Sequence, residues 1–214
     1  RQSGGRPMSR AERKAERGSR LSWHREHELP AGTVVPSVLA AAAGLVAMWP
    51  FTSVIEPGTW SFAVLAVVVV TALTGMASRT LTRGRPTWAR DLVTIAVQIV
   101  AVIGTVTLLV AGDTAVFGLI PTDATLFTFQ ALAAAAWEEI TFGSAPIAAS
   151  PGLEAVMGVG FGIVAILLDQ LVAQRGAILA SLLTAVVGSV PMIVTLGGVN
   201  VVWFVILGLS LIHI

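Results

Sequence analysis

Long apolar stretches alternate with short polar connections along the chain, and this pattern predicts helices that cross a membrane. Each stretch approaches the roughly 20 apolar residues that an α-helix needs to cross the hydrocarbon core of a bilayer. The predicted complete spans cover about residues 34–54, 60–77, 92–111, 153–173 and 177–196, and a truncated sixth span begins near residue 199. These continuous runs lack the alternation of a barrel strand. The sequence therefore predicts an all-α fold, a polytopic helical membrane protein with five complete spans and a truncated sixth.

The connection between the third and fourth spans has a helical pattern of its own. Thr122 follows Pro121 and is placed to cap a helix over about residues 122–142. Apolar residues recur there at helical spacing, at Leu126, Phe129, Ala133, Trp137 and Ile140. Asp123, Gln130, Glu138 and Glu139 supply polar faces. The pattern predicts an amphipathic helix on the outer membrane surface, without the basic face that recruits anionic lipid.

Composition and charge agree with this class and add an orientation. Hydrophobic residues make up 55% of the 214 residues and charged residues only 12%, far below the share in a soluble domain. Basic residues cluster in the first 25 residues, in the connection between spans two and three, and at Arg175. The opposite connections carry only acidic charges. Because Lys and Arg accumulate on the cytoplasmic side, the N-terminus is predicted to be cytoplasmic.

The two ends of the chain carry separate predictions. Residues 1–33 are polar and basic and predict a disordered cytoplasmic tail; a nucleic-acid arm is not favoured, because acidic residues dilute the charge. The membrane domain is predicted over residues 34–208. The last six residues, LSLIHI at 209–214, match the translation of a transposon end used in sequencing libraries. This match predicts that the natural sequence ends at or near Gly208 and that 209–214 is a sequencing-adapter artefact.

Asp169 is the acidic side chain inside an apolar run, so it is the first candidate for a functional site. It lies about one turn from the cytoplasmic end of the fourth span, where Gln170 and Arg175 are near enough to pair with it. A structural pairing role is favoured over a proton or ion relay, because no second buried acid accompanies it. Gln98, in the third span, is a candidate for an interhelical hydrogen bond.

For two further groups of residues a structural role is favoured over a catalytic or binding role. Gly158, Gly160 and Gly162 have the spacing that lets two transmembrane helices approach closely. Glu138 and Glu139, with Trp137 beside them, are candidates for contact with another domain. The chain contains no cysteine, and no Ser-His-Asp arrangement, nucleotide loop or zinc motif can be assembled from it. We therefore predict no catalytic, metal or cofactor site in this chain.

Three motifs, taken in order, resemble a known family. They are GLIPTDATL at 118–126, EEITFGSAPIAASPGL at 138–153, and ILLDQLVAQRGAILASLL at 166–183, with SVP at 189–191. Together they resemble the N-terminal transmembrane domain of bacterial transglutaminase-like membrane proteins of the TgpA type, in the actinobacterial form. The resemblance covers nearly all of residues 36–207.

The resemblance implies a multi-pass protein of the bacterial plasma membrane, with an extracytoplasmic Cys-His-Asp domain after the N-terminal spans. Such a domain resembles papain-type acyltransferases and peptidases. This chain would then be a fragment, the membrane anchor without the catalytic domain. Its implied partners are the lipid bilayer, the missing domain, a MoxR-type ATPase and a von Willebrand-like protein. An integral membrane permease or transporter subunit is the alternative, with Asp169, Gln98 and the glycine-rich span lining a path.

Overall fold

The fold is a bundle of α-helices. A computed structural model describes residues 31–174 and 176–195, with side chains over 34–174 and 176–192. The helices are α1 (Ala31–Met48), α2 (Thr59–Leu81), α3 (Thr87–Val110), α4 (Asp123–Phe142), α5 (Pro151–Ala173) and α6 (Ala177–Thr195). In the described ranges every regular element is helical, which confirms the all-α class.

Four segments are long and apolar enough to cross a membrane. They are Val34–Ser53, Thr59–Leu81, Thr87–Val110 and Pro151–Ala173, and they coincide with the first four predicted spans. The apolar part of α6, Ala177–Met192, is shorter than a full span within the described residues. The predicted sixth span, the basic tail over 1–30 and the segment 209–214 lie outside the part of the chain that the structure describes. The chain is a membrane protein.

Helix α5 occupies the centre of the bundle. Among the helices that the structure describes it packs against all five others, and its contacts with α2 and α1 are the most extensive. Phe161, Ala165 and Leu168 are buried along it. The edge of the Phe161 ring meets the Phe51 ring with centroids 5.4 Å apart, which joins α5 to the turn after α1. The position of α5 explains why its few polar residues meet residues of several helices.

Backbone pairing closes one end of the bundle. After α1 the chain makes a 3-10 turn over Trp49–Ser53. Ile55 then pairs with Ile147 in an isolated parallel bridge, in which Glu56 N donates to Ile147 O (2.9 Å) and Ile147 N donates to Val54 O (2.8 Å). Helix α2 starts at this end of the bundle and runs to the other end. The connection between α2 and α3, which contains Arg83 and Arg85, therefore lies at that other end. The acidic and basic connections therefore lie at opposite ends of the bundle.

Helix α4 is present where the sequence predicts it, but a different face is buried. Thr122 and Thr125 form a capping box, which begins the helix at Asp123. The buried positions are Thr125 and Ala136, whereas the predicted apolar stripe leaves Leu126, Trp137 and Ile140 exposed. Alanine lies at the contact because the backbone of Gly152 approaches it: a Cβ on Gly152 would lie 3.1 Å from Ala136 N. Close backbone packing therefore sets the orientation of α4.

Candidate functional site

Asp169 lies in the last part of α5 and is 1% exposed. A charged side chain inside a membrane-spanning helix is costly unless a partner compensates it. The partners of its carboxylate come from three other helices, α1, α2 and α3.

Arg79, near the end of α2, forms a two-pronged ion pair with Asp169. Its Nη2 donates to Asp169 Oδ2 at 2.6 Å and its Nη1 donates to Oδ1 at 3.0 Å. A longer bond of 3.3 Å joins Nη2 to the Asp169 backbone carbonyl. The planar guanidinium matches a carboxylate in this geometry, and such charge-assisted pairs are among the stronger hydrogen bonds in proteins.

Two uncharged side chains complete the environment of the carboxylate. Ser37 Oγ, on α1, donates to Oδ1 at 2.8 Å and accepts a 3.0 Å bond from Arg79 Nη1. Gln98 Nε2, on α3, donates to Oδ2 at 2.5 Å and to the Thr71 carbonyl at 3.2 Å. Gln170 Nε2 then donates to Gln98 Oε1 at 3.1 Å. We call Ser37, Arg79, Gln98, Asp169 and Gln170 the charge network.

Gly75 makes room for this network. A Cβ on Gly75 would lie 2.6 Å from both Asp169 Oδ2 and Gln98 Nε2. A real Cβ does not approach other atoms this closely, so a larger residue at 75 would displace the Gln98 bond. The sequence on α2 therefore combines the cation, Arg79, with a gap one turn earlier that admits the amide of Gln98.

We call the charge network closed because the acceptor sites of the Asp169 carboxylate are all occupied. A carboxylate has about four acceptor sites. Each oxygen of Asp169 accepts two side-chain bonds, and all five residues of the network are buried. Within the described residues no group of three or more His, Cys, Asp or Glu side chains is placed to hold a metal. The arrangement holds α1, α2, α3 and α5 together at the end of the bundle nearest the basic connection.

Some of the polar residues near Asp169 have partners that differ from those that the sequence predicts. Gln98 makes interhelical hydrogen bonds, and Gln170 bonds to Gln98 rather than to Asp169. Arg175 lies outside the described residues. Arg79 is one of the basic residues near the connection between spans two and three that predicted the orientation, and it was not predicted as the partner of Asp169. The predicted span ended at residue 77, and the structure shows that α2 continues through Arg79 to Leu81, whereas Arg83 and Arg85 follow its end.

The three glycines of α5 differ in their surroundings. A Cβ on Gly162 would lie 2.5 Å from Val102 Cγ1 and 3.1 Å from Val67 Cγ1, and a Cβ on Gly158 would lie 3.4 Å from Val106. Gly160 has nothing within 4 Å of its Cβ position. Gly158 and Gly162 therefore lie where α5 meets its neighbours, and Gly160 does not.

The residues singled out on α4 lie at its C-terminal end, apart from the charge network. Glu139 Oε2 accepts a 2.5 Å bond from Ser150 Oγ, and the same oxygen of Ser150 accepts from Leu153 N and caps α5. Glu138 and Trp137 are exposed. Glu139 thus joins the end of α4 to the start of α5, while the side chains of Trp137 and Glu138 are exposed.

A comparison with protein families gives one decisive match. The family model described as the TgpA N-terminal domain matches residues 42–213. The chain belongs to the TgpA N-terminal domain family. The curated proteins give no match to it, and the solved structures give none either.

The match places the charge network within the TgpA N-terminal domain, apart from Ser37, which precedes the matched residues. It confirms the family resemblance of the sequence motifs. It also extends past Gly208 to residue 213, so the interpretation of residues 209–214 stays a prediction. As an N-terminal domain, the matched region fits a membrane-associated transglutaminase-like protein.

Proposed function

We propose that this chain is the membrane anchor of a TgpA-type, transglutaminase-like protein of the bacterial plasma membrane, and that it positions an extracytoplasmic catalytic domain. The charge network carries the proposal. Its hydrogen-bonding capacity is used between helices, which suits a rigid support. The catalytic domain would be a papain-type Cys-His-Asp domain outside these 214 residues.

The opposite end of the bundle suits contact with that domain. The Ile55–Ile147 bridge and the Glu139–Ser150 bond hold the connections there in place. Trp137 and Glu138 are exposed beside them, and aromatic residues are enriched at protein interfaces. We propose that these two residues contact the catalytic domain. A MoxR-type ATPase and a von Willebrand-like protein are the further partners that the family resemblance suggests.

The anchor role requires the acidic end of the bundle to face outward and the N-terminus to be cytoplasmic. Because the chain has no cysteine, one introduced cysteine reports its own location without background. We expect a membrane-impermeant maleimide to label Ser144→Cys in cells whose inner membrane is intact. Arg85→Cys, exposed at the opposite end, should react only after that membrane is opened. The measurement is the labelled fraction of each variant by gel shift.

The matched control for this experiment is the cysteine-free parent, which should not be labelled under either condition. A denatured sample of each variant gives its full labelling. Preferential labelling of Arg85→Cys in intact cells would reverse the orientation and remove the basis for an outward catalytic domain.

Solute transport makes a different prediction about Asp169. A permease would need this carboxylate to exchange partners during transport, whereas an anchor keeps the network closed. We expect proteoliposomes that contain the chain to show the same proton and Na⁺ leak as empty liposomes, measured with fluorescent indicators. Flux above that baseline that disappears in Asp169→Asn would contradict the anchor role.

A further inference from the structure

An apolar groove lies between α3 and α5 and beneath the start of α4. Its volume is about 490 Å³, within the range of roughly 300–1,000 Å³ that is typical of small-molecule sites. Ile99 and Ile103 form the α3 wall, and Val159 and Ile163 form the α5 wall. All four side chains are about half exposed, so the groove is open along its side.

The groove lies deep along the two membrane-spanning helices. Ile103 is seven residues before the end of α3, which corresponds to about 10 Å along the axis. Ile163 is twelve residues after the start of α5, about 18 Å along its axis. Both walls therefore lie at the level of the hydrocarbon core rather than at the outer surface of the membrane.

Helix α4 covers the outer end of the groove. Pro121, Leu126 and Phe129 line it from this side, and Phe129 also packs against the buried cluster that contains Val102 and Val106. The preceding connection folds back along α3, because Leu119 lies within 4 Å of a Cβ position on Gly104. A groove at this depth thus has a side open to the bilayer and a closed outer end.

The chemistry of the walls selects the occupant. Ten of the eleven lining side chains are those of aliphatic or aromatic residues or proline, and the remaining residue is Thr107, which is fully buried. Water needs two to four polar partners to occupy a cavity stably, so ordered water is disfavoured. Helix α6 contributes no residue to the lining. We infer that the groove binds one acyl chain of a membrane phospholipid, held between α3 and α5 and covered by α4.

This site depends on α3 and α5 crossing the membrane and not on the anchor role, so the two proposals can fail separately. The test is native mass spectrometry of the whole chain, purified in mild detergent from membranes of phosphatidylethanolamine and phosphatidylglycerol. We expect one phospholipid to remain bound per chain after detergent washing. Ile103→Trp and Ile163→Trp fill the groove from opposite walls, and each should lower the lipid-bound fraction at least tenfold.

Val100→Trp is the matched control, because Val100 is exposed on α3 less than one turn from Ile103 and does not line the groove. Its lipid-bound fraction should stay within twofold of the unmodified chain. Unfolding temperatures establish that each variant is folded. If the unmodified chain retains no lipid, the inference is overturned. A dimer in that spectrum would then make a second copy of the chain the occupant of the groove. A monomer would make residues 196–214 the occupant. Equal lipid loss in all three variants overturns it as well.

Discussion

Replacing Asp169 with alanine is expected to destabilise the membrane domain by about 3–5 kcal/mol, because it leaves the Arg79 guanidinium buried without its counter-charge. Arg79 is 5% exposed, and its end groups donate to the buried side chains of Asp169 and Ser37. The substitution also removes one of the two acceptors of Gln98 Nε2 and leaves only the Thr71 carbonyl. The measurement is the free energy of unfolding in mild detergent, from denaturant titration.

Two controls separate the network from a general effect of mutation. The double variant Arg79→Met, Asp169→Leu removes both charges and should recover most of the stability lost in Asp169→Ala, since apolar residues can replace a buried ion pair. Arg85→Ala removes an exposed cation from the same end of the bundle and should change stability by less than about 0.5 kcal/mol. Equal destabilisation by the single and double variants would mean that the ion pair does not govern stability.

Gly162→Ala should destabilise the bundle by about 1–3 kcal/mol, because the added methyl group overlaps Val102 and crowds Val67. Both valines are buried and belong to one apolar cluster between α2 and α3, so neither can move away freely. The expected effect is a lower unfolding temperature with unchanged helix content, measured by circular dichroism in detergent.

Gly160→Ala is the control within the same helix, two residues away. Its Cβ would meet no atom within 4 Å, and alanine is the better helix former by up to about 1 kcal/mol. Gly160→Ala should therefore leave stability unchanged or raise it. Equal effects of the two substitutions would show that the intrinsic helix preference of the residue, and not close packing at Gly162, determines the change in stability.

The apolar runs predicted the helices well because a bilayer allows few alternatives. A stretch of about 20 apolar residues in lipid must satisfy its backbone hydrogen bonds internally, and the helix does so without any partner. The runs that became α1, α2, α3 and α5 are of this kind. Periodicity alone did not determine where α2 ends, which the structure places at Leu81.

The partner of Asp169 could not be read from the sequence in the same way. Arg79 is 90 residues away, and the approach of α2 to α5 depends on the packing of α1 and α3 around them. Hydropathy predicts which segments span the membrane, but it does not predict which spans pack against one another. Proximity along the chain favoured Gln170 and Arg175, whereas the bundle brings Arg79, Ser37 and Gln98 to the carboxylate.

The buried face of α4 was missed for a related reason. The strongest apolar stripe contains Leu126, Trp137 and Ile140, and in water such a stripe would face the protein core. Beside membrane helices an apolar side chain also tolerates lipid, so close backbone contact decides instead. Ala136 against Gly152 provides that contact, while Trp137 and Ile140 stay exposed and Phe129 is partly buried against α3.

The central claim is that this membrane domain supports an outward catalytic domain, and reading the source gene from the codon for Gly208 onward tests it most directly. The account predicts an open frame that continues into an extracytoplasmic domain with one Cys, His and Asp site, and LSLIHI absent from the genome. A stop codon directly after Ile214 in the genome would contradict it and favour a membrane protein that works without a catalytic domain.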